Sequence, residues 1–149
     1  MKPWTWIFQS NPRQWDLRGA LAQEPRLSWK VSSFRADIKV GDTVYMWECG
    51  ARAALLARCT VISPPRVELA QAKYERYALD PKYLDEMCRA ELSVDLVLGD
   101  PLCREALLQH AELRNQRPIG GATHQGTNFD VPPDPAALLA RVVAASGGV

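Results

Sequence analysis

A short strand that leads into a polar corner is the strongest constraint near the start of the chain. Trp6-Ile7-Phe8 is an apolar run typical of a buried strand, and it ends at Gln9-Ser10-Asn11-Pro12. Asn11 is a favourable N-cap before proline, and Gln14 supplies the second half of a capping-box-like pair. This pattern predicts a helix beginning after Asn11. It places Ser10, Asn11 and free backbone N–H groups at a strand end, where they suit either a small polar ligand or a purely structural corner.

Length and composition predict one domain. With 149 residues of which 47% are hydrophobic, the chain is long enough to bury a core and too short for two full domains. We expect residues 1–146 to form that domain and 147–149 to be a loose tail. No apolar run approaches the roughly 18 residues of a membrane span and no signal-peptide pattern follows Met1, which predicts a cytoplasmic protein, in the bacterial cytosol or in the nucleus if the source is eukaryotic.

The cysteines and histidines give little support for a metal site or a cofactor. Cys49, Cys59, Cys88 and Cys103 lie far apart without a C-x-x-C spacing, and the chain has two histidines. We therefore predict no metal and no cofactor, and expect the cysteines to be small buried residues in a reducing compartment.

Charge is unevenly distributed along the chain. The net charge of +1 argues against general phosphate neutralisation, but residues 1–66 hold 10 Lys and Arg against 5 Asp and Glu, a balance of +5. Residues 67–149 hold 8 against 12, a balance of −4. The first half is therefore suited to face an anionic partner, although scattered surface charge gives the same count.

The remaining elements follow from periodicity and turn signals. Residues 92–98 alternate apolar and other side chains, which indicates a strand with one face inward. The predicted order begins with a strand or extended loop at 27–31, a hairpin of strands 43–47 and 51–63, and a polar connection over 66–88 with a restart at Asp80-Pro81. The strand at 92–98 follows, then a helix from Gly99-Asp100-Pro101 to about His110, a loop or bulged strand at 118–121, and a last helix from Asp134-Pro135. This order predicts an α+β domain with a small, partly closed mixed or antiparallel β-barrel flanked by short helices.

Three separated motifs occur in the order Trp6-Ile-Phe-Gln-Ser-Asn-Pro12, Ile38-Lys-Val-Gly-Asp-Thr-Val-Tyr-Met-Trp47 and Gln125-Gly-Thr-Asn-Phe129. Together they resemble the motifs of EVE domains, members of the PUA-like superfamily related to the YTH domains. The resemblance covers almost the whole chain and implies the same barrel fold. It further implies a non-catalytic reader that captures a flipped or unpaired modified base in an aromatic pocket, either a modified cytosine in DNA or a methylated base in RNA.

The resemblance also implies which residues form the pocket. Ser10 and Asn11 would bind the edge of the base, and Trp29 and Trp47 would sandwich its faces. Phe129 would pack in the core, and His124 would either contact a phosphate or lie exposed. The full predicted ligand-binding set is Ser10, Asn11, Trp29, Lys30, Trp47, Thr127 and Asn128.

Two other functions remain open from the sequence. The PUA-like ASCH group suggests a hydrolase acting on a modified nucleoside or base, for which Glu48, His124 and Cys49 are the candidate groups. Glu48 would otherwise select a ligand with an extra donor or point into solvent. A protein-interaction module is the third reading. Because one pocket on a nearly neutral domain binds weakly, tight binding would require a protein partner, a weak homodimer or a second site on the nucleic acid.

Overall fold

The chain folds as an α+β structure in which one strongly curled sheet forms a half-barrel with short helices around it. A computed structural model describes residues 3–121 and 125–146. The strands are β1 (Thr5–Ser10), β2 (Arg26–Lys30), β3 (Thr43–Glu48), β4 (Ala54–Val61), β5 (Arg66–Glu68), β6 (Met87–Cys103) and β7 (Asn128–Val131). The α-helices are α1 (Leu17–Gln23), α2 (Arg104–Leu107) and α3 (Pro133–Ser146), and 3₁₀ turns occupy Ala72–Tyr77, Pro81–Leu84 and Ala111–Leu113.

The strands are ordered β2-β6-β4-β3-β1-β7, with β5 also paired to β6. β1 runs parallel to β3, so that Ser10 lies beside Glu48 in the register. β3 and β4 form the predicted antiparallel hairpin, and β1 pairs antiparallel with β7. The ends of β1 and β3 therefore lie together at one edge of the half-barrel.

Side chains of the sheet divide between two hydrophobic cores. Trp6 and Phe8 of β1 enter the larger core, which also contains α1 and Trp29. Ile7 between them enters the smaller core, which packs against α3. Successive side chains of a strand point to opposite faces, so alternate residues of β1 and β3 belong to different cores.

The strand at 92–98 faces both cores, which corrects the expectation of a single inward face. Leu92 and Val94 pack on the larger core, whereas Leu96 and Leu98 pack on the smaller one. The pairing of β4 with β6 shifts register between Arg58 and Cys59, and such a bulge reverses the side to which later side chains point.

The first helix begins later than predicted, at Leu17 rather than after Asn11. Its N-cap is Asp16, whose carboxylate accepts a hydrogen bond from Gly19 N at 3.0 Å. The prediction failed because Trp15 forms an isolated bridge with Ala78, an extended pairing that a helix cannot make. Asn11 instead closes a turn, its Oδ1 accepting from Arg13 N at 3.0 Å.

The helix predicted from Gly99 is also wrong at its start. β6 continues through Pro101 to Cys103 because Leu102 and Cys103 pair with β4, and helix α2 covers only Arg104–Leu107. The last helix starts at Pro133, one residue before the predicted position.

The cysteine prediction holds for part of the set. Cys59 and Cys88 are buried and Cys49 is half-buried, but Cys103 is exposed, since it ends β6 at the surface.

Among residues 3–121 and 125–146, no helix combines the length and apolar character needed to cross a bilayer. Within the same ranges no three His, Cys, Asp or Glu side chains cluster in a way that would hold a metal ion. The predicted tail at 147–149 lies outside the described residues.

Candidate functional site: a cavity at the end of the first strand

A cavity of about 480 Å³ opens where β1 ends. Its size falls in the range of roughly 300–1,000 Å³ that small-molecule sites occupy. Its walls come from the end of β1 and the turn that follows it, from β2 and the loop after it, and from the segment before β7. The lining residues are Gln9, Ser10, Asn11, Gln14, Trp15, Ser28, Trp29, Lys30, Ser32, Cys49, Tyr83, Arg89, Gln125, Gly126 and Thr127.

Ser10 lies in the wall of this cavity and carries a buried hydroxyl group. It follows Trp6 and Phe8 at even positions of β1, so its side chain points to the face of the larger core. The residue is 2% exposed, and its Oγ has no hydrogen-bond partner among the described residues. Its backbone carbonyl is held by Cys49 N at 2.9 Å. A buried polar group without a partner costs stability, which a bound ligand can recover.

Trp29 and Trp15 form the aromatic part of the wall. Their rings meet edge to face, with centroids 5.1 Å apart and planes at 85°. The Trp29 indole Nε1 is buried and has no acceptor among the described residues. Tyr83 adds a third ring, positioned by its hydroxyl, which donates to Gln14 Oε1 at 2.6 Å. The cavity therefore combines aromatic surface with two buried polar groups that have no partner within the described chain.

The charged residues of the wall are cationic. Lys30 Nζ lies 5.7 Å from the centroid of the Tyr83 ring. The Arg89 guanidinium is held by carbonyl oxygens, donating to those of Tyr83 and Asp85 at 2.7 Å each, and burial lowers its pKa. No carboxylate lies among the described lining residues. Lys30 is therefore the cation better placed to meet a ligand, because Arg89 is already engaged with the backbone.

Cys49 contributes a neutral thiol. Burial raises the pKa of this thiol, and the neighbouring Glu48 raises it further. A thiol with a raised pKa is protonated at neutral pH and is a weak nucleophile. The protonated Cys49 thiol therefore contributes a polarizable surface to the cavity wall.

The segment before β7 closes one side of the cavity through its backbone. Gln9 N donates to Thr127 O at 2.7 Å, and Gln9 Nε2 donates to Gly126 O at 3.0 Å. Gly126 adopts φ 123°, and a Cβ there would lie 3.3 Å from the Phe129 ring. Glycine is required here both for its backbone conformation and for this close approach.

The structure brings five of the seven predicted ligand-binding residues to the cavity wall: Ser10, Asn11, Trp29, Lys30 and Thr127. Trp47 is not among them. It is 0% exposed and lies in the smaller core, with the Arg104 guanidinium 5.5 Å from its ring centroid. Trp47 follows Met46 in β3, and alternation places the two on opposite faces of the sheet. The predicted sandwich of Trp29 and Trp47 therefore does not form.

Asn128 also lies away from the cavity and holds a loop in place. Its Oδ1 accepts from Ser32 N at 2.8 Å and from Ser33 N at 3.3 Å, while its Nδ2 donates to Lys30 O at 3.1 Å. The side chain is 4% exposed. Asn128 thus fixes the chain that follows β2, including the part that lines the cavity at Lys30 and Ser32.

Glu48 takes neither of the roles expected from the sequence. It is buried and forms an ion pair with Arg18 of α1, with Arg18 Nε at 3.1 Å and 3.2 Å from its two carboxylate oxygens. This pair joins α1 to the end of β3. Phe129 is buried in the smaller core as predicted, and His124 lies outside the described residues.

Sequence reasoning missed Trp15 and Tyr83 as parts of the wall. Trp15 could have been predicted as a wall residue, because it lies in the same opening segment as Ser10 and Asn11. No sequence pattern pointed to Tyr83, since it lies in a 3₁₀ turn more than 70 residues beyond Ser10, in a segment without clear periodicity.

The curled sheet and its helices form the PUA-like fold, as the comparison with solved structures shows. A hypothetical protein from Leishmania major superposes with a TM-score of 0.69 at 16% identity, covering 95% of this chain and 94% of that one. Human THYN1 in complex with 5-methylcytosine-containing DNA gives 0.66 at 9% identity, covering 93% and 96%. A ZmASCH mutant protein from Zymomonas mobilis gives 0.58 at 8% identity, covering 93% and 97%.

These superpositions show a common fold, and that fold is shared by a neighbour solved with DNA and by an ASCH neighbour. No protein-family model matches the chain, and no curated protein matches it either. The function must therefore be inferred from the chemistry of the cavity.

Proposed function

We propose that the protein is a non-catalytic reader that takes a modified nucleobase, flipped or unpaired, into the cavity at the end of β1. The observation that carries this proposal is that two buried groups without partners among the described residues, Ser10 Oγ and Trp29 Nε1, occur beside the aromatic surface of Trp15 and Trp29. An indole N–H only donates, and a hydroxyl both donates and accepts. A planar ring with polar atoms along its edge, at least one of them an acceptor, matches this arrangement.

The charge of the cavity supports a ligand attached to a phosphate backbone. Among the described lining residues, Lys30 is an accessible cation and no carboxylate opposes it. The surplus of basic residues in the first half of the chain also favours an anionic partner such as a phosphate backbone. The human THYN1 complex, with the same fold, contains DNA that carries 5-methylcytosine.

Recognition of a modification follows from burial of the added group. Burying one methyl group contributes about 0.8 kcal/mol, and this gives roughly a fourfold preference over the unmodified base. A larger preference requires the cavity to exclude water or to leave a polar group unpaired when the modification is absent.

Hydrolysis is the competing function, and the groups that could catalyse it near the described cavity are poorly suited to that role. Glu48 is engaged with Arg18, and the thiol of Cys49 has a raised pKa. A nucleophilic mechanism needs an activated nucleophile with a base beside it. These contacts favour binding without turnover.

The test is a titration of labelled single-stranded DNA and RNA, plain or carrying 5-methylcytosine, 5-hydroxymethylcytosine or N6-methyladenine, followed by fluorescence anisotropy. The wild type is compared with Trp29→Phe, which removes the indole N–H beside the cavity. The matched control is Trp47→Phe, because its indole N–H is also buried and unpartnered but faces the opposite core.

We expect one modified oligomer to bind preferentially, Trp29→Phe to weaken it by roughly two- to tenfold for a lost hydrogen bond, and Trp47→Phe to leave it unchanged. Mass spectrometry of the recovered oligomer should show no chemical change. Equal weakening by both variants, or no preference for any modified base, would contradict the proposed site, and release of a cleaved product would establish the hydrolase instead.

A further inference from the structure

A second cavity adjoins the first one across a shared wall. It has a volume of about 450 Å³, and Gln125 and Gly126 line both cavities. Its other walls come from the loop after β2 at Ser33 and Phe34 and from Arg117 and Asp130. We call this second cavity the flanking groove. Because the two cavities share one short segment of chain, a ligand that enters the first has its neighbouring unit beside the second.

Phe34 gives the flanking groove an exposed aromatic ring in a fixed position. Its backbone has φ 61°, in the left-handed region, although the residue is not glycine. Bulky residues rarely adopt this conformation, and they keep it where the surrounding structure demands it. The ring packs against Trp6 with centroids 5.0 Å apart, yet the residue remains 38% exposed.

Hydrogen bonds and packing around Phe34 hold it in this conformation. Its carbonyl oxygen accepts hydrogen bonds from Asp37 N at 2.9 Å and Ile38 N at 3.1 Å. The Trp6 ring beneath it donates from Nε1 to the buried Asp42 carboxylate at 2.8 Å. At the residue before Phe34, Ser33 N donates a hydrogen bond to Asn128 Oδ1. An exposed ring held this firmly loses little conformational entropy when another ring stacks on it.

The charges of the flanking groove are balanced. Arg117 lies with its guanidinium 5.3 Å from the Phe129 ring centroid, and Asp130 supplies a carboxylate nearby in the wall. A wall with one cation and one anion suits an uncharged ring better than a bare phosphate. The amide group of Asn115 in the same wall matches the polar edge of a base.

We propose that the flanking groove binds the nucleotide next to the modified one, with its base stacked on Phe34. This inference rests on the proposed function, because it assigns the second cavity to the same strand that enters the first. The flanking groove adjoins the first cavity on one side, across Gln125 and Gly126, so only one neighbour, 5′ or 3′, is expected to gain from it.

The experiment uses single-stranded trinucleotides that carry the preferred modified base in the centre. Two further probes replace either the 5′ or the 3′ base by an abasic sugar, which keeps the phosphates and removes the ring. In the wild type, loss of the base on one side should weaken binding roughly tenfold, the scale of one base–aromatic stack, and loss on the other side should have little effect.

Phe34→Leu should abolish this difference between the two abasic probes while preserving the preference for the modified centre. Trp4→Leu is the matched control, since Trp4 is exposed to a similar degree at 42% and lines neither cavity. It should leave the difference intact. Circular dichroism of both variants checks that the fold is retained.

A wild-type protein that treats the two abasic probes alike would overturn this inference alone, as would a difference that persists in Phe34→Leu. Failure of the intact trinucleotide to bind, or binding without preference for a modified centre, would overturn the proposed function and this inference with it.

Discussion

At the scale of single residues, the cavity is distinguished by buried polar groups that have no hydrogen-bond partner within residues 3–121 and 125–146. Ser10 Oγ and Trp29 Nε1 are both buried beside it. Trp6 Nε1, by contrast, donates to Asp42 at 2.8 Å, whereas Trp47 Nε1 in the smaller core also has no acceptor among the described residues. Buried polar atoms in native proteins are nearly always hydrogen-bonded, so two such groups beside one cavity support the proposed ligand site.

Ser10→Ala should separate stability from binding. Removing an unpartnered buried hydroxyl should leave the free energy of unfolding unchanged or raise it by about 1 kcal/mol, since the desolvation cost disappears. The same change should weaken binding of the modified oligomer by about 0.5–1.5 kcal/mol, the net value of one hydrogen bond. Chemical denaturation and anisotropy titration measure the two effects.

Ser63→Ala provides the opposite pattern as a control. The Ser63 hydroxyl accepts a hydrogen bond from Glu91 N at 3.0 Å and lies in neither wall. Its removal should lower stability and leave binding unaffected. If Ser10→Ala destabilised the fold in the same way, the Ser10 hydroxyl would have a structural role and the argument from its missing partner would fail.

At the scale of elements, the site depends on how loops are attached to the sheet. β7 pairs with β1 and carries Asn128, whose side chain spans to the chain after β2. One amide group thus connects two strands that are not neighbours in the sheet. The loop it holds contributes Ser32 to the first cavity and Phe34 to the flanking groove.

Asn128→Ala should release this loop. The change leaves Ser32 N and Lys30 O without their partner, at a cost of about 1–3 kcal/mol in the free energy of unfolding. Hydrogen exchange at the amides of Ser32 and Ser33 should accelerate beyond what the global loss of stability explains. Asn115→Ala, an exposed asparagine in the flanking groove, should change neither quantity. Unchanged exchange at Ser32 would show that the loop is held by other contacts.

At the scale of the whole molecule, the curled sheet separates two cores, and Lys30 is an accessible cation in the described wall of the first cavity. The net charge is only +1, so general attraction to nucleic acid is weak. Affinity should therefore come from the cavities more than from phosphate neutralisation.

The salt dependence of binding tests this balance. For single-stranded ligands the logarithm of affinity falls by about 0.7 per neutralised phosphate for each tenfold rise in salt. With one to three phosphates contacted, we expect a slope between about −0.7 and −2. Lys30→Gln should make the slope shallower by about 0.7, whereas Lys73→Gln, at an exposed lysine outside both cavities, should not. A wild-type slope steeper than about −4 would indicate a basic surface that acts independently of the cavities.

Much of the architecture follows from local sequence patterns. The strands at 43–48 and 54–61, their hairpin and the last helix were predictable, because periodicity and turn residues act over a few neighbours. Ser10 and Trp29 were found as site candidates from the opening segment and the resemblance. Trp47 was assigned to the wrong place even though alternation with Met46 contained the information, because the face turned toward the cavity is set by pairing with β1 and β4.

The sequence by itself determined the α+β order of elements, the polar corner after β1 and the uneven charge of the two halves. Only the tertiary structure decided that β6 bulges to serve both cores, that Glu48 pairs with Arg18, and that Tyr83 and Arg89 join Ser10 around one cavity. These features arise from contacts between segments tens of residues apart. Local propensity carries no information about such contacts, since their energies depend on which faces the folded sheet brings together.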